Sequence, residues 1–255
     1  MASNSESILE LAAQALRSWE PLWTGFLDGQ QREETEQQLA LLAELNVQSW
    51  GGHPGAERRR LLLQHQESSP FLGEGDGRHG EDGLGGLEIS GNFLFDPATA
   101  ADFRSGLLAC AGVDPSALGD VWVRGDRGAQ AIVCTELADL LDDQQAQVRS
   151  IDVQLQARPL GELQLPAQRM PRRLNSVEAS LRLDALASAG FGLSRSRMAG
   201  LIRQGDLRLN WQSVSSPSQE LKPGDRVQWS GRGELTLEAA ERTKRERWRV
   251  VMVRC

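Results

Sequence analysis

Residues 194–197 read Ser-Arg-Ser-Arg, directly ahead of Met198, Leu201 and Ile202, whose spacing of three and four places them on one face of a helix. A helix opening in this way turns free backbone N–H groups, two hydroxyls and two guanidinium groups toward one point, which suits an anion and above all a phosphate. Ser194 is the expected N-cap, and the helix is expected to end before Gly205. Arg203 follows Ser196 by seven residues and so shares its side of the helix, while Arg182, on a predicted preceding helix, extends the basic face. Arg208, Asn210 and Lys222 fall just downstream. The candidate contacts are therefore Arg182, Ser194, Arg195, Ser196, Arg197, Arg203, Arg208, Asn210 and Lys222. Asp184 is expected to orient a neighbouring arginine, and Asn210 fits either a turn residue or a contact. The plain alternative for all these bases is a solvated face.

The charge distribution bears on that choice. The chain carries −7 overall, which argues against a polyanionic partner, because lysine and arginine must displace the counterions of such a partner. Divided at Met170, however, the chain has 12 basic and 26 acidic residues before the cut and 16 basic and 9 acidic after it, so the halves carry −14 and +7. Such asymmetry is expected when one domain holds a polyanion site. Lys222 and Lys244 are the two lysines, so the positive charge is nearly all arginine, whose planar fork matches phosphates and stacks on bases. A GC-rich genome would explain that choice of base but not its clustering.

At 255 residues the chain can hold two or three small domains. No apolar run approaches the roughly 20 residues of a membrane span, and residues 1–10 lack the basic patch and apolar stretch of a signal peptide. The expected location is the cytoplasm, or a plastid stroma. Cys110, Cys134 and Cys255 are odd in number and far apart, and His53, His65 and His79 show no ligand spacing, so neither disulfide, metal nor cofactor is expected.

The elements that would position the candidate residues follow from periodicity and turn signals. Residues 7–45 read as two helices divided at Pro21, with Leu9, Ala12, Ala13 and Leu16, then Leu39, Leu42 and Ala43, as apolar positions. Residues 47–51 and 58–66 read as short segments around a His-Pro-Gly turn, the second as strand or helix. In 73–86 seven of fourteen residues are glycine amid acids, without the Gly-Lys-Ser/Thr of a phosphate loop, and a surface loop is expected. Then come strand 87–95, helix 97–111, strands 120–123 and 130–134, helix 136–141 and strand 148–156. This β-α-β-β-α-β order is that of ferredoxin-like and RNA-recognition folds. The aromatic octapeptide with which an RNA-recognition sheet stacks bases is missing, so Phe93, Phe95 and Trp122 are expected in the core. Pro159, Pro166 and Pro171 mark 159–176 as a linker. Beyond it a helix at 177–189, the turn Gly190-Phe191-Gly192, the Ser194 helix, strands at 207–214 and 226–230, and a helical or strand segment at 234–254 are expected. The fold class is α+β, in four parts: a helical region 1–86, an RNA-recognition-like domain 87–158, the linker, and a small basic α+β domain 177–255.

Ser180-Leu-Arg-Leu-Asp-Ala-Leu, Gly192-Leu-Ser-Arg-Ser-Arg, Leu201-Ile-Arg-Gln-Gly-Asp-Leu-Arg-Leu-Asn210 and Leu221-Lys-Pro-Gly-Asp-Arg-Val occur in that order within about 50 residues. Together they resemble the S-four RNA-binding domain, first known from a small-subunit ribosomal protein. Farther upstream, Gly91-Asn-Phe-Leu-Phe-Asp-Pro, Asp102-Phe-Arg-Ser-Gly-Leu-Leu, Leu118-Gly-Asp and Gly128-Ala-Gln are similar to the YlmH family, which includes cyanobacterial and plastid members labelled photosystem II S-four domain proteins. The resemblance implies a role on the bacterial large ribosomal subunit, in quality control of stalled translation; the first reading is a non-catalytic RNA-binding protein that docks on ribosomal RNA or tRNA, and nothing in the sequence demands more than a monomer. No pigment-ligand pattern or membrane segment supports the photosystem label. Two other readings compete. S-four modules also anchor pseudouridine synthases and methyltransferases, for which Asp120 and Asp126 beside Arg124 and Arg127 are the acidic candidates, although they read more simply as a hairpin. The third reading is a protein scaffold without RNA binding, which would predict loss of the basic residues, and these are present.

Overall fold

A computed structural model describes residues 4–68, 82–167, 170–229 and 231–255. They divide into two units, Met1–Ala167 and Gln168–Cys255.

The first unit begins with α1 (Asn4–Ser18) and α2 (Gly29–Leu39), which pack on a small antiparallel sheet of β1 (Leu22–Trp23), β2 (Leu45–Trp50) and β3 (Arg60–His65) in the order β1-β3-β2. Almost every residue of α2 is polar, so its start is fixed by a capping box: Asp28 accepts from the Gln31 amide and Gln31 answers the Asp28 amide. The buried stripe of α1 is Ile8, Ala12 and Ala15, meeting Leu27, Leu39, Leu61 and Leu63. Leu9, expected in that stripe, faces outward, because Leu9 and Ile8 both begin a three-to-four spacing and the β3 leucines select the second.

Next, β4 (Leu84–Ser90), α3 (Ala100–Leu108), β5 (Leu118–Val123), β6 (Gly128–Cys134), α4 (Thr135–Leu141), β7 (Gln145–Val148) and β8 (Ile151–Arg158) build a second antiparallel sheet in the order β5-β6-β4-β8-β7. The expected β-α-β-β-α-β order is present, with α3 and α4 over Leu87, Ile89, Ala131, Val133, Val153 and Leu155 on one face. The strand expected at 148–156 is β8, which begins at Ile151; ahead of it the short β7 folds back to pair with β8 through a turn at Arg149, whose φ is 54°. The part of the expected glycine loop at 73–81 lies outside the described residues, but Leu84, Gly85 and Gly86 are strand rather than loop. A Cβ at Gly86 would sit 2.8 Å from Leu163 and 2.9 Å from the Arg158 carbonyl, so this glycine serves close packing, not flexibility.

Leu163 also changes how the sheet can be used. On the face away from α3 and α4, the buried cluster Phe26, Leu84, Ile132, Cys134 and Leu163 covers the surface on which an RNA-recognition sheet would stack bases. Trp122 packs against that cluster, its indole N–H donating to the Gln164 carbonyl at 3.1 Å, and Phe93 is buried against Phe103 with ring centres 4.8 Å apart. Phe95 departs from expectation: it is 91% exposed, at the turn between β4 and α3. Asp120 is engaged by backbone, accepting from the amides of Glu57 at 2.7 Å and Arg58 at 2.9 Å. Arg104 donates from α3 to the carbonyls of Gly119 and Leu118, and burial lowers its guanidinium to about 10.

The second unit is one six-stranded antiparallel sheet with two helices. Its strands β9 (Arg172–Glu178), β10 (Leu207–Leu209), β11 (Gln212–Ser213), β12 (Arg226–Trp229), β13 (Gly233–Arg242) and β14 (Trp248–Arg254) lie in the order β11-β10-β12-β13-β14-β9. The helices α5 (Leu183–Phe191) and α6 (Arg195–Gln204) bury Leu183, Leu186, Met198 and Ile202 against Leu207, Val227, Leu235, Leu237, Val250 and Met252. Two expectations are corrected here. The linker 159–176 is ordered at both ends, through Leu163 and through β9. The helix expected at 177–189 starts only at Leu183, because Asn175 to Glu178 pair with Val251 to Trp248 and tertiary pairing overrides local helix propensity. Of the two alternatives for the last segment, 234–254, the structure has strand, as the β13–β14 hairpin. Gly190 belongs to α5 rather than to a turn: a Cβ there would lie 2.3 Å from the Leu235 side chain, so its bareness lets α5 settle on β13. Gly192, at φ 72°, ends the helix.

Candidate nucleic-acid interface

Ser194 caps α6, its hydroxyl accepting from the Arg197 amide at 3.4 Å, and Gly205 closes the helix in the left-handed region. The amides of Arg195 and Ser196 remain at the open first turn, where no preceding carbonyl can reach them. Ser194 and Ser196 share a hydroxyl contact of 3.3 Å beside these amides. One turn on, Gly200 sits between the exposed residues Ser196, Arg197 and Arg203, and nothing lies within 4 Å of the position a Cβ would take. No neighbour requires glycine here, and its cost in a helix interior is about 1 kcal/mol relative to alanine. What it provides is a low spot on the basic face.

Asp184 organises the adjoining part of that face. It lies in the first turn of α5 and is buried, its side chain 7% exposed. Arg182 clasps it with two donors, Nε at 3.1 Å and Nη2 at 3.0 Å, and Arg195 adds a third at 3.1 Å. Burial would raise the Asp184 carboxyl, but these guanidinium donors outweigh it and hold the group below its usual range. The same bond raises Arg182. Arg182 is the N-cap residue of α5 rather than part of a helix, and its backbone is fixed by bridging to Glu220 while the Leu183 amide donates to the Gln219 carbonyl. The segment carrying Lys222 is thereby tied beside Arg182: the Leu221 amide donates to the Leu181 carbonyl.

The other candidates separate. Asn210 is a turn residue: its side chain donates to Asp225 at 2.9 Å and accepts from the Arg226 amide at 2.9 Å. With φ of 50° and 68°, Asn210 and Trp211 form the two-residue turn of the β10–β11 hairpin. Arg208 alternates with Leu207, a core residue packed with α6, and so projects from the opposite sheet face, away from the helix arginines. Arginines beyond the candidate set are held on rings, Arg226 over Trp211, Arg232 over Trp229 and Arg254 over Phe191, at 5.8, 5.5 and 5.0 Å from the ring centres. Among the described residues, no hydrogen bond or ion pair occupies the side chains of Arg197, Arg203, Arg208 or Lys222, all of which are exposed.

Comparison with known proteins matches residues 2–68 to the family model described as YlmH, N-terminal, and residues 181–227 to that described as S4 domain. The chain is thus similar to a YlmH N-terminal domain over its first part and to an S-four domain within its second unit. Every candidate contact falls inside the S-four match. A curated relative, "Ribosome-associated protein quality control protein P2" of Bacillus subtilis (strain 168), is 29% identical over 215 residues, spanning 83% of this chain and 79% of that protein. A solved structure, "Cell division protein ylmH from Streptococcus pneumoniae", aligns over 64% of this chain and 95% of its own with 19% identity and a TM-score of 0.47. The S-four match stops at Val227, before the β13–β14 hairpin. That hairpin holds basic residues that the motif reading passed over, although five bases in the eight residues 242–249 are plain in the sequence.

Proposed function

We propose that this protein is a non-catalytic RNA-binding protein of the translation apparatus, and that the S-four domain grips structured RNA through the first turns of α5 and α6. The observation that carries this reading is the division of labour around Asp184: one buried carboxylate fixes Arg182 and Arg195, while Arg197 and Arg203 have no partner among the described residues, beside an open helix N-terminus and the bare Gly200. Fixed and free guanidinium groups next to free amides suit a run of backbone phosphates, read by shape rather than by base sequence. The Bacillus subtilis relative is named as ribosome-associated and as acting in protein quality control, which supports a ribosomal setting; within that setting the partner proposed is ribosomal RNA or tRNA on the large subunit, in the cytoplasm or a plastid stroma. The plugged sheet face of the first unit supports placing the RNA contact in the second.

The test is binding of the purified protein to isolated ribosomal subunits and to tRNA over a salt series, beside Arg197→Ala/Arg203→Ala. The expected result is salt-sensitive binding to the large subunit, weaker in the variant and with a shallower dependence on salt. Equal binding of both proteins to every RNA would overturn the reading.

A further inference from the structure

The tip of the β13–β14 hairpin is a second concentration of positive charge. Arg242, Lys244, Arg245, Arg247 and Arg249 line one hollow of about 700 Å³, with Glu241 as the acidic group in its wall. Among the described residues none of these five bases is in an ion pair, and Arg242 is steadied over the Trp248 ring at 5.9 Å. The loop that presents them is well defined: Thr243 donates its amide to the Arg247 carbonyl at 2.8 Å, its hydroxyl bonds the same residue, and Glu246 takes the left-handed position at φ 54°. Five like charges within a few residues repel one another at separations below the Debye length of about 8 Å, and a polyanion relieves that repulsion. A lipid surface would call for exposed aromatic or aliphatic anchors, whereas Val177 is the one apolar residue lining the hollow.

We propose that this hairpin tip is a second phosphate-backbone contact, gripping the same structured RNA as α6 but at a separate place. Register sets the separation from one basic residue of the S-four match. Arg208 pairs with Gln228, which pairs with Glu234, and Arg242 lies eight residues farther along β13. At about 3.3 Å per residue the tip stands roughly 25 Å along the strands from the level of Arg208, so a phosphate held at the tip is not one that Arg208 could reach.

This inference rests on RNA being the partner of the second unit, and the experiment separates the two. Lys244→Ala/Arg245→Ala/Arg247→Ala is compared with the parent protein, with Arg197→Ala/Arg203→Ala and with the combined variant, on a fluorescent RNA stem-loop and on purified large ribosomal subunits over a salt series. Thermal melts establish that all four proteins are folded. The expected result is a loss of roughly tenfold or more from the hairpin variant, a salt slope shallower by about 2 to 3, and additivity in the combined variant. A hairpin variant that binds like the parent while the α6 variant weakens would overturn the second contact and leave the proposed function standing. Failure of the parent to bind either RNA would remove both. A hairpin variant that loses the subunit but keeps the stem-loop at full affinity would assign the tip to a protein surface and overturn the inference.

Discussion

Arg195 and Asp184 meet at 3.1 Å, joining the first turn of α6 to the first turn of α5. The carboxylate is buried, while both arginines that hold it keep more than a third of their side chains in solvent, so the cluster locks geometry without burying its cations. Asp184→Asn is expected to destabilise the protein by about 1–2 kcal/mol, less than the 3–5 kcal/mol of a fully buried pair. RNA affinity should fall with it, since Arg182 and Arg195 lose their anchor. The pH dependence has a definite sign. Because the folded carboxyl lies below its usual range, its contribution is complete above the unfolded value of about 3.9 and fades as pH drops through the folded one. Urea denaturation of parent and variant should show a constant gap from neutral pH to about pH 5 that closes in stronger acid. A gap that widened in acid would contradict this assignment.

Gly200→Ala separates stability from binding. The site has room for a methyl group, so the melting temperature should rise by an amount corresponding to about 0.5–1 kcal/mol. Affinity for RNA should drop in the same protein if a sugar-phosphate chain passes close over the helix. A variant improved in stability and unchanged in binding would place the RNA elsewhere on α6.

Asn210→Ala should behave in the opposite way. Its amide is committed to Asp225 and Arg226, so the substitution removes turn hydrogen bonds and a left-handed residue preference, at about 1–2 kcal/mol. RNA affinity at a fixed salt concentration should stay that of the parent. A loss of RNA affinity in the folded variant at fixed salt, with the slope unchanged, would show that Asn210 touches RNA after all.

Gly190→Ala tests the seating of α5 on the sheet. The new methyl would collide with Leu235, and overpacking of this kind costs about 1–3 kcal/mol. Pairing it with Leu235→Ala in a chemical denaturation series should recover part of the loss, because the smaller side chain vacates the contested space.

Cysteine reactivity offers a check on the first unit. Burial pushes the thiols of Cys110 and Cys134 up, which lowers the fraction of reactive thiolate at neutral pH. Mass spectrometry after brief alkylation of the native protein should find the exposed Cys255 modified first and Cys134 last.

Local signals in the sequence were strong where a residue type answers one backbone need. Ser194 and Gly205 bound α6 because a cap and a left-handed stop leave few alternatives, and the β-α-β-β-α-β order emerged from alternating periods. Asp184 was legible as a partner of arginine from its place between basic residues. The departures share a different cause: each depends on a distant segment. Nothing within residues 172–178 reveals that β14 will pair with them, so Val177 reads as helix. Gly86 reads as loop until Leu163 is seen pressing on it. Phe95 and Leu9 illustrate the same limit for burial, since periodicity names apolar positions but the partner surface chooses among them. Arg208 was grouped with the helix arginines by proximity in sequence, and only strand alternation moves it to the other face.

The pairing of β9 with β14 has a bearing on how the protein is made. These are the first and last strands of the second unit, yet they are neighbours, with Arg172 opposite Arg254 and Glu178 opposite Trp248. A chain emerging in order from its N-terminus presents β9 long before its partner exists, so the second unit cannot close its sheet until residues 248–254 have been synthesised and freed. Contacts this far apart in sequence form late and slowly. The first unit can fold while the chain is still growing. The second unit acquires its finished sheet only once β14 is available to pair with β9.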